Sequence, residues 1–393
     1  MVFRPHNMRS FCSVLAFVCL LLTFGAQAST LDRVETVVVA ASPAGGTRLS
    51  GILRLPTGPG PFPAAVLLPE HEAGTLAPSA ADKQLLNSLA DYLVSQGMVV
   101  LRLQERANGE GPGTLTERSA DALAALNYLR TRPQVDVTRL GLIGHGEGGN
   151  VALLASAQPL APTFVVTLAA SGLPGRELLA AQPIMYGKVL GNDSTDAQRQ
   201  RKYQLDQVAA EQEAAKMRAH GSNSAQVQTY LDQQRLRQKM AIRRDEEALV
   251  KHQRAMLEIV RQTPDNAQAQ AILSNMLRQR YPGIAPQDVQ TSVQTMTTPA
   301  YRNYLAFDPQ PLLPKVRCPV LLLQGDNDAE VNAPVNLALL KKGLRGNARV
   351  TEMHVPGLNH ALQFSKTEAN GPSAAPTSPD APANVYAWIM GQK

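Results

Sequence analysis

Short continuous apolar runs alternate along most of the chain with stretches in which apolar residues recur every three or four positions. Residues 34–40 and Arg48–Leu55 predict two opening strands, antiparallel and joined through the turn Ser42-Pro43-Ala44-Gly45-Gly46. Residues 64–68 are a continuous apolar run, as a strand buried on both faces requires, and 98–103, 140–144 and 164–170 predict further buried strands. Between them, Leu85, Leu86, Leu89, Tyr92 and Leu93 share a helical face within 83–96, as do Ala120, Leu123, Leu126 and Leu129 within 116–130. Residues 149–157 predict a third helix. Alternation of this kind predicts an α/β fold, a mostly parallel sheet with helices on both faces.

The pattern breaks at about residue 198. From there to residue 280 the chain is rich in Gln, Ala, Arg, Lys and Glu. Leu205, Val208 and Ala209 share one face, and Met256, Ile259 and Val260 another. No heptad persists for three or four turns, so the segment predicts several long inserted helices rather than a coiled coil. The sheet pattern then resumes with a strand at 319–324, a helix at 333–344 and a strand at 349–355. Residues 366–384, rich in Pro, Ser and Ala, predict a loose loop before a closing helix at 385–390. The expected organisation is a core from 29–175 and 297–393, with a helical cap from 176–296. Such a cap is expected over the carboxyl ends of the strands, with Leu205, Val208, Met256 and Val260 towards a pocket.

Composition narrows the picture. At 393 residues the chain accommodates two domains, or one large domain with an insertion. With 44% hydrophobic and 18% charged residues it is not wholesale disordered. The net charge is +6, and 191–280 carry fifteen Lys/Arg against eleven Asp/Glu. Interspersed charges with few aromatics read as a solvated helical surface, so no nucleic-acid partner is expected. Arg4 and Arg9 precede an apolar run at 11–24 and the small-residue site Ala26-Gln27-Ala28. These features predict a signal peptide at 1–28, and a periplasmic or extracellular location without a stable membrane span after its removal. Cys12 and Cys19 leave with that segment. Cys318 then stands alone, and no internal disulfide forms.

Three motifs carry chemistry. The first is Leu140-Gly141-Leu142-Ile143-Gly144-His145-Gly146-Glu147-Gly148-Gly149, a strand, a sharp glycine-rich turn and a helix start. The second is Gly325-Asp326-Asn327-Asp328, after a strand. The third is Val355-Pro356-Gly357-Leu358-Asn359-His360. In this order they resemble the elbow, acid loop and histidine loop of capped α/β-hydrolases. With the segment 298–309 they resemble bacterial secreted carboxylesterases related to dienelactone hydrolases. The resemblance implies the α/β-hydrolase fold, a small-molecule ester as substrate and no cofactor. It implies that His360 is the general base, oriented by Asp328 rather than Asp326.

The chain departs from that pattern at the nucleophile. The elbow pattern G-x-S-x-G has Gly146 at its centre, and acyl transfer needs an oxygen or sulfur there. The implied oxyanion donors are the backbone N–H groups of Glu147 and His71, because Pro69 has none. Glu70 and Glu72 place negative charge beside that hole, and the His71 side chain is expected to face solvent. Ser171, at a neighbouring strand end, is the alternative nucleophile. His71, His145, Asp328 and His360 lack zinc-ligand spacing, so no metal is expected. The expected function is hydrolysis of carboxylic esters, lost or strongly weakened at Gly146. The alternative is a non-catalytic ligand- or partner-binding protein on the same fold.

Overall fold

The computed structural model describes residues 32–40, 48–71, 79–104, 113–182, 193–364 and 378–392. The predicted signal peptide, the turn at 42–46, Glu72 and the loop at 366–377 lie outside the described residues.

Eight strands form one sheet: β1 (Arg33–Ala40), β2 (Arg48–Leu55), β3 (Phe62–Leu68), β4 (Val99–Leu103), β5 (Val135–His145), β6 (Val165–Leu168), β7 (Val320–Gly325) and β8 (Val350–Val355). Their order is β1-β2-β4-β3-β5-β6-β7-β8. β2 runs antiparallel to both neighbours, and every pairing from β4 to β8 is parallel. That order with one reversed strand is the α/β-hydrolase fold, as the motifs imply.

Both faces of the central strands are covered, which explains the continuous apolar run of β3. Ala64, Val66 and Leu68 of β3 join the core packed by α2 (Leu115–Arg130) and α3 (Glu147–Ser156). Ala65 and Leu67 point the other way, towards α1 (Ala80–Ser95) and the closing α-helix Asp380–Gly391. That last helix starts within the segment expected to be a loop. Its Pro382 falls in the first turn, where a missing N–H costs no intrahelical bond, so composition understated the helix.

After β6 come α4 (Gly175–Ala181), α5 (Asp193–Ala219), α6 (Ser224–Gln262), α7 (Asn266–Arg280), α8 (Pro286–Met296) and α9 (Pro299–Ala306), before β7. The α5–α6 turn is closed by Gly221 in the left-handed region and by reciprocal hydrogen bonds between Asn223 and Gln226. Leu205 and Val208 do not face a pocket. They are 68% and 50% exposed on α5. Helical spacing put them on one face, but nothing among the described residues covers it. Met256 and Val260, near the carboxyl end of α6, are buried with Leu257, Leu273 and Leu277 at the foot of the insertion. The Gln253 side chain donates to the carbonyl of Leu179, and Arg302 donates to those of Val260 and Thr263. The foot is therefore tied to α4 through Gln253 and to α9 through Arg302, while the α5–α6 tip is polar and exposed. α10 (Ala333–Gly343) follows β7.

Candidate active site

Gly146 links β5 to α3 with φ +50° and ψ −118°. Only glycine adopts this conformation without strain. The turn is also tight. A Cβ on Gly144 would lie 2.1 Å from the Gly148 carbonyl oxygen, and one on Gly148 would lie 2.3 Å from that of Leu68. The sharp strand-to-helix turn expected of the elbow is therefore present as backbone, with a glycine at its centre.

The acid and histidine loops meet beside it. The His360 ring donates from Nδ1 to Asp328 Oδ2 at 2.8 Å. Asp328 is held in turn by the backbone N–H groups of Glu330 and Val331, at 2.9 and 2.8 Å. Asp326 faces His354 at 3.2 Å instead, on the exposed side of the sheet end. Thus Asp328 is the partner of His360.

The nucleophile's place is filled from another strand. A Cβ built on Gly146 would lie 2.2 Å from Glu70 Oε1 and 2.4 Å from Glu70 Cδ. The same carboxylate accepts from His360 Nε2, at 3.0 Å to Oε2 and 3.2 Å to Oε1. Glu70, His360 and Asp328 thus form a continuous chain of contacts in which a carboxylate replaces the missing side chain. Both nitrogens of His360 face carboxylates, so the ring carries two protons. Burial opposes that charge, but Glu70 and Asp328 outweigh it and hold the pKa well above the usual histidine value.

Glu70 is held along its whole length. Its N–H donates to Asp82 Oδ1 at 3.1 Å, and the carbonyl of Pro69 accepts from Arg118 at 2.6 Å. Arg118 pairs with Glu147 at 2.5 Å, both nearly buried. Burial pushes the Glu147 carboxyl up to about 7, with Arg118 opposing. His145 is wholly buried between α1 and the histidine loop. Its Nε2 lies 2.9 Å from the His360 carbonyl and its Nδ1 2.8 Å from Asp82 Oδ1. A carbonyl only accepts, so Nε2 carries a proton, and the carboxylate accepts another from Nδ1. Burial acts against this charge, but Asp82 and Glu70 raise the His145 pKa overall.

The other sequence candidates fall as follows. The His71 side chain is buried, not solvent-facing; burial, then Arg118, depresses its pKa to about 3, so it is neutral. The loop from β3 folds inward to deliver Glu70, which carries His71 in with it. Glu147 is the first residue of α3, where a backbone N–H has no intrahelical partner. Ser171 is 2% exposed, donates to Asn336 Oδ1 at 2.8 Å and accepts from Leu173 N at 3.1 Å. It anchors the strand end to α10 and makes no hydrogen bond with His360. Among the described residues, Glu70, His145 and His360 bring ligand atoms within 4.8 Å of one another. Binding a cation there requires both rings to surrender the hydrogen bonds just described. Asp82, Arg118 and Asn336 escaped the sequence reading. Each sits in an ordinary helical pattern, and only the tertiary fold turns it towards the site.

The chain has the α/β-hydrolase fold, and esterases and a dienelactone hydrolase are among the proteins it is similar to. No family model matches it. A curated relative, Esterase EstD of Thermotoga maritima, is 35% identical over 105 residues, 25% of this chain and 25% of that protein. The match thus spans only about a quarter of that esterase's length. Est1E from Butyrivibrio proteoclasticus aligns with 90% of this chain and 95% of its own, at 13% identity and a TM-score of 0.44. A dienelactone hydrolase from Anabaena variabilis covers 91% and 97%, at 13% identity and 0.44. The Pyrococcus furiosus esterase Pf2001 covers 91% and 90%, at 12% identity and 0.49. Among the described residues, no helix is long and apolar enough to cross a membrane.

Proposed function

We propose that this is an exported protein built on a carboxylic ester hydrolase scaffold, in which acyl transfer through the elbow has been closed. One observation carries the reading: the Glu70 carboxylate stands where the elbow side chain belongs. No hydroxyl or thiol at 146 can attack an ester carbonyl, and His360 is already protonated between two carboxylates. Loss of a triad serine alone typically costs about 10⁶ in kcat. With an activated aryl ester such as p-nitrophenyl acetate, purified mature protein is expected to show no acylation burst and turnover near the buffer rate. A burst, or ordinary enzymatic turnover, sinks the reading.

The basic start, apolar run and Ala26-Gln27-Ala28 support export. Mature protein recovered outside the cytoplasm is expected to begin at or near Ser29. An intact Met1 in that fraction contradicts signal cleavage, and recovery of the chain only from the cytoplasm contradicts export.

A further inference from the structure

Beside Gly146, two imidazoles and two carboxylates meet from four separate segments of the chain. We propose that Glu70, Asp82, His145 and His360 bind one divalent transition-metal ion of the zinc class, in place of two of the protons their hydrogen bonds share. The site goes beyond the closed acyl-transfer route and does not depend on it.

The donors converge. Glu70 Oε2 lies 3.0 Å from His360 Nε2 and 3.8 Å from His145 Nδ1, and the ligand atoms of these three residues all lie within 4.8 Å of one another. Asp82 Oδ1 is 2.8 Å from the same His145 nitrogen. With zinc bonds of about 2.0–2.2 Å, neighbouring donors in a tetrahedron stand roughly 3.3–3.6 Å apart, so shifts of about 1 Å convert one arrangement into the other.

Only two hydrogen bonds are surrendered, His360 Nε2 to Glu70 and His145 Nδ1 to Asp82, and in each the accepting carboxylate becomes a ligand. The second nitrogen of each ring keeps its partner. His360 Nδ1 donates to Asp328 at 2.8 Å, and His145 Nε2 donates to the His360 carbonyl at 2.9 Å. Histidines that bind metals almost always donate their other N–H to a carboxylate, a carbonyl or water, which fixes the tautomer and aims the free nitrogen.

Charge and burial agree with the geometry. One divalent ion replacing two protons leaves the buried charge unchanged, so no new counter-charge is needed. Asp82 is 1% exposed, and among the described residues its Oδ2 has no hydrogen-bond partner. A buried carboxylate oxygen without a donor is costly unless a water or an ion meets it. Imidazole with carboxylate suits zinc and its neighbours rather than magnesium or calcium, which take oxygen ligands. Four protein donors leave no open position, so the ion is structural and ties the loop after β3 and α1 to the end of β5 and the histidine loop. Because its ligands come from four segments, no local spacing announces the site.

Zinc alone is the probe, added to tag-free mature protein cleared of metal by a chelator. Calorimetry is expected to show one ion per chain and a raised thermal midpoint, with no such effect from magnesium. Glu70→Gln and His145→Gln are each expected to weaken binding by more than about a hundredfold, and Asp328→Asn, outside the donor set, by about 10–100-fold. His354→Gln is expected to change nothing, although His354 meets Asp326 and Glu352 on the surface. Should the buried variants fail to fold, X-ray absorption at the zinc edge of the parent decides alone, with four nitrogen and oxygen donors expected at about 2.0–2.2 Å, two of them imidazole. No zinc bound, binding that His145→Gln leaves intact, binding that His354→Gln removes, or a shell without imidazole overturns the proposal. The aryl-ester burst is measured on the metal-free protein. A burst there removes the closed acyl-transfer route alone, and failure to bind zinc removes this site alone.

Discussion

At position 146 two constraints coincide: a backbone in the left-handed region, and a neighbouring carboxylate where the side chain would begin. Gly146→Ser therefore meets both strain and collision. The strained conformation costs a serine about 1–3 kcal/mol. The new Cβ must also push Glu70 off His360. The single variant is expected to fold with lower stability and to gain less than about tenfold in aryl-ester hydrolysis. Gly146→Ser with Glu70→Ala empties the slot, and hydrolysis is expected to rise by about 10³, still below a full triad enzyme because Pro69 lacks an N–H for the oxyanion. Burst kinetics on both variants check this; equal gains in the two would show that Glu70 does not block the slot. At this scale the sequence was informative where chemistry follows from motif order, as for Asp328 and His360. It was uninformative where direction matters. Glu70 was visible as unwelcome charge, but nothing in its neighbours shows that its loop turns inward. His71 was misplaced for the same reason.

Three elements are joined by one buried ion pair. Arg118 on α2 reaches Glu147 on α3 and the Pro69 carbonyl after β3. Arg118→Met leaves a buried carboxylate unpaired, which typically costs about 3–5 kcal/mol. Denaturant unfolding is expected to show that loss, and Arg118→Met with Glu147→Gln is expected to recover most of it. No loss in the single variant would mean the pair does not hold the loop. Glu147 also gives a pH signature. Its carboxyl is raised from 4.5 to about 7 on folding, so the folded chain binds the proton more tightly. Its contribution to stability is greatest below about 4.5 and falls as pH rises through about 7, and Glu147→Gln is expected to remove that fall. Element types were legible because the central strands β3, β5, β6 and β7 are short, mainly apolar segments set between helical patterns. The insertion was legible only as helices, since a helical period shows which side chains share a face, as for Leu205 and Val208, and not whether anything packs on it.

Over the whole molecule, the fold class was legible through the order of the motifs, because the elbow, acid and histidine loops follow the carboxyl ends of β5, β7 and β8 on one side of the sheet. The charge state that results was not, since it depends on side chains from β3, α1, β7 and β8 ends meeting in one buried place. That charge state is the centre of the account: Glu70 replaces the elbow side chain and keeps His360 an imidazolium. A histidine whose pKa is raised on folding contributes stability that is complete below about 6.5 and is lost as pH rises through its folded value, which lies well above 6.5. Nitrogen-15 NMR of the imidazole rings, followed with pH in the parent and in Glu70→Gln, measures the state of His360 directly. The expected result is a His360 ring with two N–H protons at neutral pH and a midpoint well above 6.5, falling in Glu70→Gln. A neutral His360 at pH 7, or a midpoint that Glu70→Gln leaves unmoved, would contradict it.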